Sequence, residues 1–210
     1  MIKLIIIYPP FLENWLFKKL FGIIFIFLGD KIDFDRVIAE EKDYKKFLKW
    51  GIEKYLEINE DFPALVLDLA TGTGAASLYL AKKFPESLIT GVDISNDMLK
   101  KAREKAQDKE LINLQFDKGD IYDLHYSDKK FDLITVSNAP FSLTEVKRVL
   151  KSQGYFLITL SKGGGFLAGK EEKVSNKLLK YGFEVKELAG EKDGGLFLLL
   201  KLEEDDDFRD

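Results

Sequence analysis

The sequence predicts an α/β fold: a doubly wound, mostly parallel sheet of seven strands, ending in a C-terminal antiparallel β-hairpin and preceded by an N-terminal helical cap. Three observations predict it. From Ala64 onward, apolar runs of strand length alternate with helical segments, and continuous apolar strands set between helices belong to a parallel sheet covered on both faces. The first of these runs ends in a glycine-bearing turn, LVLDLATGTGAAS, that leads directly into a helical pattern. The last two runs, FEVKELAG and LFLLLKL, are separated only by EKDGG. That link is too short for a right-handed crossover, so the two strands must pair antiparallel.

Taken in order, residues 41–57 (EKDYKKFLKWGIEKYLE) carry apolar side chains near helical spacing, and Asn59 to Pro63 ends that helix. Strands are expected at Ala64–Leu69 and Leu88–Asp93, followed by helices at Ala75–Lys83 and Asn96–Gln107. Two further strands fall at Leu114–Lys118 and Phe131–Val136. The helix at Leu143–Lys151 opens on a capping box, with Ser142 three residues before Glu145. Gly154 then starts the apolar strand YFLITL, and Lys170–Tyr181 forms a helix stopped by Gly182 ahead of the hairpin. The domain organisation read from this is a cap over residues 1–60, the sheet domain over 61–203, and an acidic tail over 204–210.

Residues 1–28 are more apolar than anything downstream, but Pro9-Pro10 interrupts them as a signal peptide. The run Leu20 to Leu28 is also far shorter than the roughly 20 residues a bilayer span requires. Three readings stay open for this segment: a cap packed on the sheet domain, a lid over an apolar substrate, and a peripheral membrane contact in which Lys18 and Lys19 flank Trp and Phe.

Composition narrows the chemistry. A formal net charge of -4 argues against nucleic-acid binding by bulk positive charge. With no cysteine and one histidine, disulfides, cysteine nucleophiles, thiolate metal sites and multi-histidine metal centres are all excluded. Absence of cysteine also fits the cytoplasm.

The turn after the first strand sets the ligand class. A P-loop needs a lysine followed by Ser or Thr after its second glycine, whereas Gly74 is followed by Ala75-Ala76-Ser77. The dinucleotide pattern G-x-G-x-x-G is half met by Gly72, Thr73 and Gly74, with Ser77 in the third glycine's place. Asp68, just ahead of the turn, would repel a diphosphate and suit a cationic ligand end. Asp93 closes the second strand about 20 residues beyond the loop, where an acid accepts from ribose hydroxyls. Asp120 follows the third strand, where it can accept from an adenine amino group, with Ile94, Met98 and Ile121 placed to enclose the ring.

Together these residues resemble the class I S-adenosylmethionine-dependent methyltransferases, whose fold is Rossmann-like. LDLATGTG is similar to their first motif, D-x-G-x-G-x-G, with Ala70 in the first glycine's place. GVDIS, GDI and FDLITVSNAPF are similar to the second, third and fourth, and VKRVLKSQGYFLI to the helix and strand that usually end R-V-L-K-P-G-G. The likeness runs from about Phe62 to Leu202 and is nearest to the ubiquinone/menaquinone-biosynthesis C-methyltransferases. It implies S-adenosyl-L-methionine as cofactor, and a small-molecule acceptor, with Asp68, Ala70, Gly72, Thr73 and Gly74 around the methionine moiety. Backbone groups at Ser137 and Asn138 would lie nearby, Asp93 would take the ribose, and Ile94, Met98, Asp120 and Ile121 the adenine.

Departures from the family pattern carry expectations of their own. Ala70 costs little if its φ stays negative. Ser152-Gln153-Gly154 is expected to change only a surface turn. The segment after the fourth motif is short, so substrate contacts would come from the cap and from the glycine-rich loop at Ser161–Gly169. Asn138-Ala139-Pro140-Phe141 is similar to the Asn/Asp-Pro-Pro-Tyr/Phe motif of amino-group methyltransferases, lacking its first proline. His125 is a candidate general base, although a lone histidine in a loop such as LHYSDKK is more often a surface residue. Two other functions fit some of the same residues: a nicotinamide-dependent oxidoreductase, and a non-catalytic cofactor-binding partner subunit.

Overall fold

The computed structural model describes residues 45–161, 171–191 and 194–204. Residues 1–44, most of the glycine-rich loop and the end of the acidic tail lie outside these residues, as do the expectations placed on them. The described helices are α1 (Lys46–Ile58), α2 (Ala75–Lys83), α3 (Asn96–Gln107), α4 (Leu143–Val149) and α5 (Glu171–Leu179). The strands are β1 (Leu65–Leu69), β2 (Leu88–Asp93), β3 (Leu114–Lys118), β4 (Phe131–Ser137), β5 (Leu150–Leu160), β6 (Phe183–Gly190) and β7 (Leu196–Leu202). They form one seven-stranded sheet in the order β3-β2-β1-β4-β5-β7-β6. The first five strands of that order run parallel, and β7 is inserted antiparallel between β5 and β6. This is the expected α/β architecture with its terminal hairpin. The chain reverses its winding between β1 and β4, the switch point at which open α/β sheets bind ligands beyond their strands' carboxyl ends.

Alternation along the strands divides the core. Leu67 and Leu69 of β1 pack with Val146 and Val149 of α4 and with Phe156 and Phe183. Val66 faces the other way and packs with Leu80 of α2 and with Phe47, Leu48, Ile52 and Tyr55 of α1. The helix assigned to the cap therefore lies in the sheet's own core, against β5 and β7.

Two boundaries differ from expectation. The helix before β5 stops at Val149, because Leu150 already pairs with Phe131 and the Lys151 ammonium reaches Asp132 at 2.6 Å. Strand β5 thus starts earlier than Gly154, and the ladder shifts register between Phe131 and Leu133. Ser152-Gln153-Gly154 lies within this strand rather than in a separate surface turn, with Gln153 at φ 63°. The capping box of α4 is half formed. The Ser142 hydroxyl accepts from Glu145 N at 3.3 Å, whereas the Glu145 carboxylate accepts from Leu124 N and pairs with Arg148.

Candidate functional site

The turn between β1 and α2 is held from beneath by a buried carboxylate. Residues alternate across a strand, so Asp68 projects to the same face as Val66, the face covered by α2. Its neighbours in register are Gly91 on β2 and Thr135 on β4. Ser77 of α2 and Thr71 of the turn donate to Asp68 Oδ2 at 2.6 and 2.7 Å, and Thr135 donates to Oδ1 at 3.0 Å. Gly91 makes room for this cluster: a Cβ there would stand 2.7 Å from Ser77 Oγ. Burial pushes the Asp68 carboxyl above the ordinary carboxylate range, and the bonds from Ser77, Thr71 and Thr135 oppose that shift. At 1% exposure, Asp68 offers no free surface to a ligand. The expectation that its carboxylate faces a cationic ligand end is therefore corrected to a brace that shapes the loop.

Above the brace the loop takes left-handed backbone at alternate residues, with Ala70 at φ 51°, Gly72 at 56° and Gly74 at 81°. Ala70 thus does not keep the negative φ on which its low cost was conditioned; for a residue with a Cβ this region costs about 1–2 kcal/mol. The two glycines answer different needs. A Cβ on Gly74 would press on Ala102 at 3.0 Å and Phe116 at 3.1 Å, so this position lets α2 pack on α3 and β3. A Cβ on Gly72 would meet nothing within 4 Å, so that side of the backbone faces open space. Thr73 is buried, and its carbonyl accepts from Lys105 at 3.4 Å.

Asp93 couples this loop to the second strand. Its Oδ2 accepts from Gly72 N at 2.8 Å and its Oδ1 from Ser95 N at 2.9 Å. Burial raises this carboxyl too, against backbone hydrogen bonds from Ser95, Gly72 and Ile94. A carboxylate has about four lone-pair sites, so with three backbone donors Asp93 keeps capacity for one hydroxyl of a ligand. Next to it Ile94 is 39% exposed. Met98 is buried on the first turn of α3, which Ser95 caps. Asp120 lies beyond β3, exposed, with Oδ1 accepting from Tyr122 N at 2.9 Å, and Ile121 is half-buried against the core. The strand order therefore brings the loop, Asp93, Ile94, Asp120 and Ile121 to the carboxyl ends of three adjacent strands.

On the other side of β1, Ser137 ends β4 and Asn138 follows it. The Ser137 and Thr159 hydroxyls lie 2.8 Å apart, and Asn138 N donates to Thr159 O at 2.9 Å. Asn138 Oδ1 accepts from Ser161 N at 2.8 Å and from Ser161 Oγ at 3.1 Å. His125 stands apart from this point. It is exposed beside the edge strand β3, with its ring against Tyr126 and Nε2 3.9 Å from Asp117.

Thr71, Gly91, Thr135 and Thr159 are not among the expected site residues, while Ser77 is expected only in a glycine's place and Ser161 only as the start of the glycine-rich loop. For Thr135 and Thr159 a signal exists: hydroxyl residues toward the ends of otherwise apolar strands, which are buried only when bonded. Among the described residues no group of three or more His, Cys, Asp or Glu could hold a metal ion, and no helix is long and apolar enough to cross a membrane.

Comparison with known proteins follows the same geometry. Residues 64–194 match the family described as Methyltransferase domain. A demethylmenaquinone methyltransferase of Thermotoga maritima is 37% identical over 139 residues, covering 62% of this chain and 57% of that protein. Its counterpart in Listeria welshimeri is 34% identical over 119 residues, covering 53% of this chain and 50% of the other. The chain spans about half the length of these curated relatives. Among solved structures, a SAM dependent methyltransferase from Aquifex aeolicus shares the fold at a TM-score of 0.62 and 21% identity, covering 81% of this chain and 99% of that one. A protein from Pyrococcus horikoshii OT3 has a TM-score of 0.61 at 26% identity, covering 76% and 89%.

Proposed function

The chain belongs to the methyltransferase domain family, and from that premise we propose that it transfers a methyl group from S-adenosylmethionine to a small, apolar molecule by in-line displacement. The observation that carries this reading is the loop: Gly72 opens its backbone to empty space while its N–H is fixed by Asp93. The residues fit the cofactor. Asp93 retains acceptor capacity for a ribose hydroxyl, exposed Ile94 and half-buried Ile121 supply apolar contact for a ring, and Asp120 can accept from an exocyclic amine. Asp68, buried beneath, adds a negative field that a low-dielectric setting preserves, which suits a cationic ligand end without direct contact.

When bound, S-adenosylmethionine supplies a methyl already activated by its sulfonium. The protein's own residues then have to align the two reactants and exclude water, which accounts for up to about 7–11 kcal/mol of a barrier. The acceptor gains the methyl, the C–S bond breaks, and the acceptor's proton passes to solvent. Neither a metal nor a dedicated general base is invoked, and exposed His125 beside β3 is not assigned one. The name of the relatives gives demethylmenaquinone as their substrate, which supports an apolar acceptor here too. The family match speaks against nicotinamide chemistry.

Calorimetry tests the reading. Micromolar binding of S-adenosylmethionine or S-adenosylhomocysteine is expected, with at least tenfold loss in both Asp93→Ala and Gly72→Ala. Binding of NAD in place of either ligand would overturn it.

A further inference from the structure

The opposite end of the sheet, where β1, β2 and β3 begin, carries a second concave site. A cleft of about 490 Å³ is lined by residues 60–64 together with Glu86 and Ser87. Strand register builds it: Leu65 stands beside Leu88, and Ile89 beside Leu114, so the segments leading into the three strands lie side by side. The backbone here is already bonded. Leu88 N donates to Ala64 O at 2.9 Å and Ser87 N to Phe84 O at 3.1 Å, while Asn113 Nδ2 donates to the carbonyls of Ala81, Phe84 and Ser87. The Ser87 hydroxyl is not. Ser87 is 1% exposed, and its Oγ makes no hydrogen bond among the described residues. A buried hydroxyl left unpaired is costly, and folded chains seldom keep one without a use. Around it the cleft is acidic and aromatic. Glu60, Asp61 and Glu86 are exposed. Phe62 is half exposed, with its ring meeting that of Phe84 edge-on at 5.5 Å between centroids. Apolar surface continues past the cleft in exposed Leu88 and in Ile112, which is 99% exposed.

We propose that this cleft is a docking site for an arginine side chain of a partner protein, flanked in that partner by apolar residues that cover Leu88 and Ile112. The carboxylates call for a cation, and the other groups choose which. A guanidinium is planar, stacks on aromatic faces and offers its donors in a rigid fork. It can lie on Phe62, pair with the carboxylates and donate to Ser87 Oγ at the same time. An ammonium concentrates its charge at one strongly hydrated point and has no face to stack. A divalent ion does not suit the site, since among the described residues no three acidic or histidine side chains are placed to hold a metal. The apolar surface beyond the cleft requires an occupant larger than a free guanidinium, which is why the arginine belongs to a protein segment. The cleft lies at the amino ends of the strands, away from the rim that holds Gly72 and Asp93, so the proposal stands apart from the methyl-transfer reading.

The test titrates the isotope-labelled full chain with acetyl-Leu-Arg-Leu-amide and follows backbone amides by NMR. The same peptide with lysine or norleucine at its centre, and N-acetylarginine amide as the free group, serve as comparisons. Saturable shifts at Phe62, Ser87 and Leu88 are expected with the arginine peptide, while the Gly72 and Asp93 amides stay in place. Its affinity should exceed that of each comparison by about threefold or more, the scale of one hydrogen bond or one stacked cation. Ser87→Ala removes a buried group that bonds nothing in the free protein, so it should not lower the urea midpoint, yet it should weaken the arginine peptide about threefold. Phe62→Ala, at a half-exposed position, should weaken it by a similar factor of about three. No saturable shift at these amides, a comparison ligand binding as tightly as the arginine peptide, or an affinity unchanged in Ser87→Ala or Phe62→Ala would each overturn the proposal. The comparison of ligands on the wild type stands even if a variant fails to fold.

Discussion

Thr135 carries one hydroxyl from β4 to a carboxylate on β1, and that bond is one of three that offset the cost of the buried Asp68 charge. Thr135→Val keeps the shape and removes the donor, which costs about 1–3 kcal/mol when the group left behind is buried. The sign with pH follows from the carboxyl lying above its ordinary 3.8. Between the ordinary and the raised value the folded chain holds a proton that the unfolded chain has released. Ionised Asp68 therefore weighs against the fold as pH rises, and its hydroxyl donors offset that weight. The loss in Thr135→Val should be largest at pH 7 and should shrink as pH falls through the raised value, with Thr135→Ser restoring most of it. Urea midpoints of the three proteins across that range measure this; an equal loss at every pH would show that the bond does not act through the charge. The same residue marks the limit of what sequence reveals about the site. Gly72, Gly74 and Asp93 could be located because a glycine turn and a strand-end acid stand at a characteristic separation. The partnership of Asp68 with Thr135, like that of Asn138 with Ser161, joins residues far apart in the chain. Only the register of β1 on β4, and of β4 on β5, brings them together.

Elements were legible wherever a local rule acted alone. Strands β1 to β3 and helices α2 and α3 fall where alternation and glycine or serine boundaries put them. The misread boundaries lie where tertiary contacts compete with local pattern. Leu150 and Lys151 complete the periodicity of α4, yet pairing with Phe131 and the ion pair to Asp132 draw them into β5. Glu145 has the spacing of a capping residue, yet Leu124 N and Arg148 hold it elsewhere. That second contact gives α4 a further role. Arg148 donates to Leu124 O and Tyr126 O at 2.7 Å each, and also to Asp128 and Glu145. It thereby straps the β3–β4 connection, which carries Asp120 and Ile121, to the helix. Its bonds hold the Glu145 carboxyl below the usual range. Arg148→Met retains much of the aliphatic stem and removes the strap, so a loss of about 2 kcal/mol is expected on the scale of hydrogen bonds to charged groups. Amide exchange of the β3–β4 connection, Leu124 above all, should accelerate well beyond that of β1. Uniform acceleration across the sheet would mean that the guanidinium supports the whole fold and not this loop.

At the scale of the molecule, the carboxyl ends of the parallel strands gather the loop, the acids and the Asn138 amide on one rim, while apolar faces on both sides carry the stability. Helix α1 belongs to that second function. Its start lies toward the ligand-side rim, since Phe47 packs within 2.6 Å of where a Gly195 Cβ would stand at the β6–β7 turn. Phe47, Leu48, Ile52 and Tyr55 are all buried against the sheet. At about 1.5–3 kcal/mol for each large apolar side chain, this face contributes an amount comparable to the entire net stability of about 5–15 kcal/mol expected of a domain. The boundary of the folding unit should therefore lie before Lys46 and not at residue 60. Removal of residues 1–44 is expected to leave cooperative unfolding and S-adenosylhomocysteine binding intact, whereas removal of residues 1–58 should leave a chain that does not fold. Circular dichroism melts and calorimetry on the two truncations separate these outcomes. The shorter truncation also tests the apolar N-terminus as a lid: if that segment covers the substrate, turnover falls in a protein that still folds and still binds the cofactor product. Unchanged turnover would assign it no part in the reaction, and loss of folding on removing residues 1–44 would place it in the core with α1.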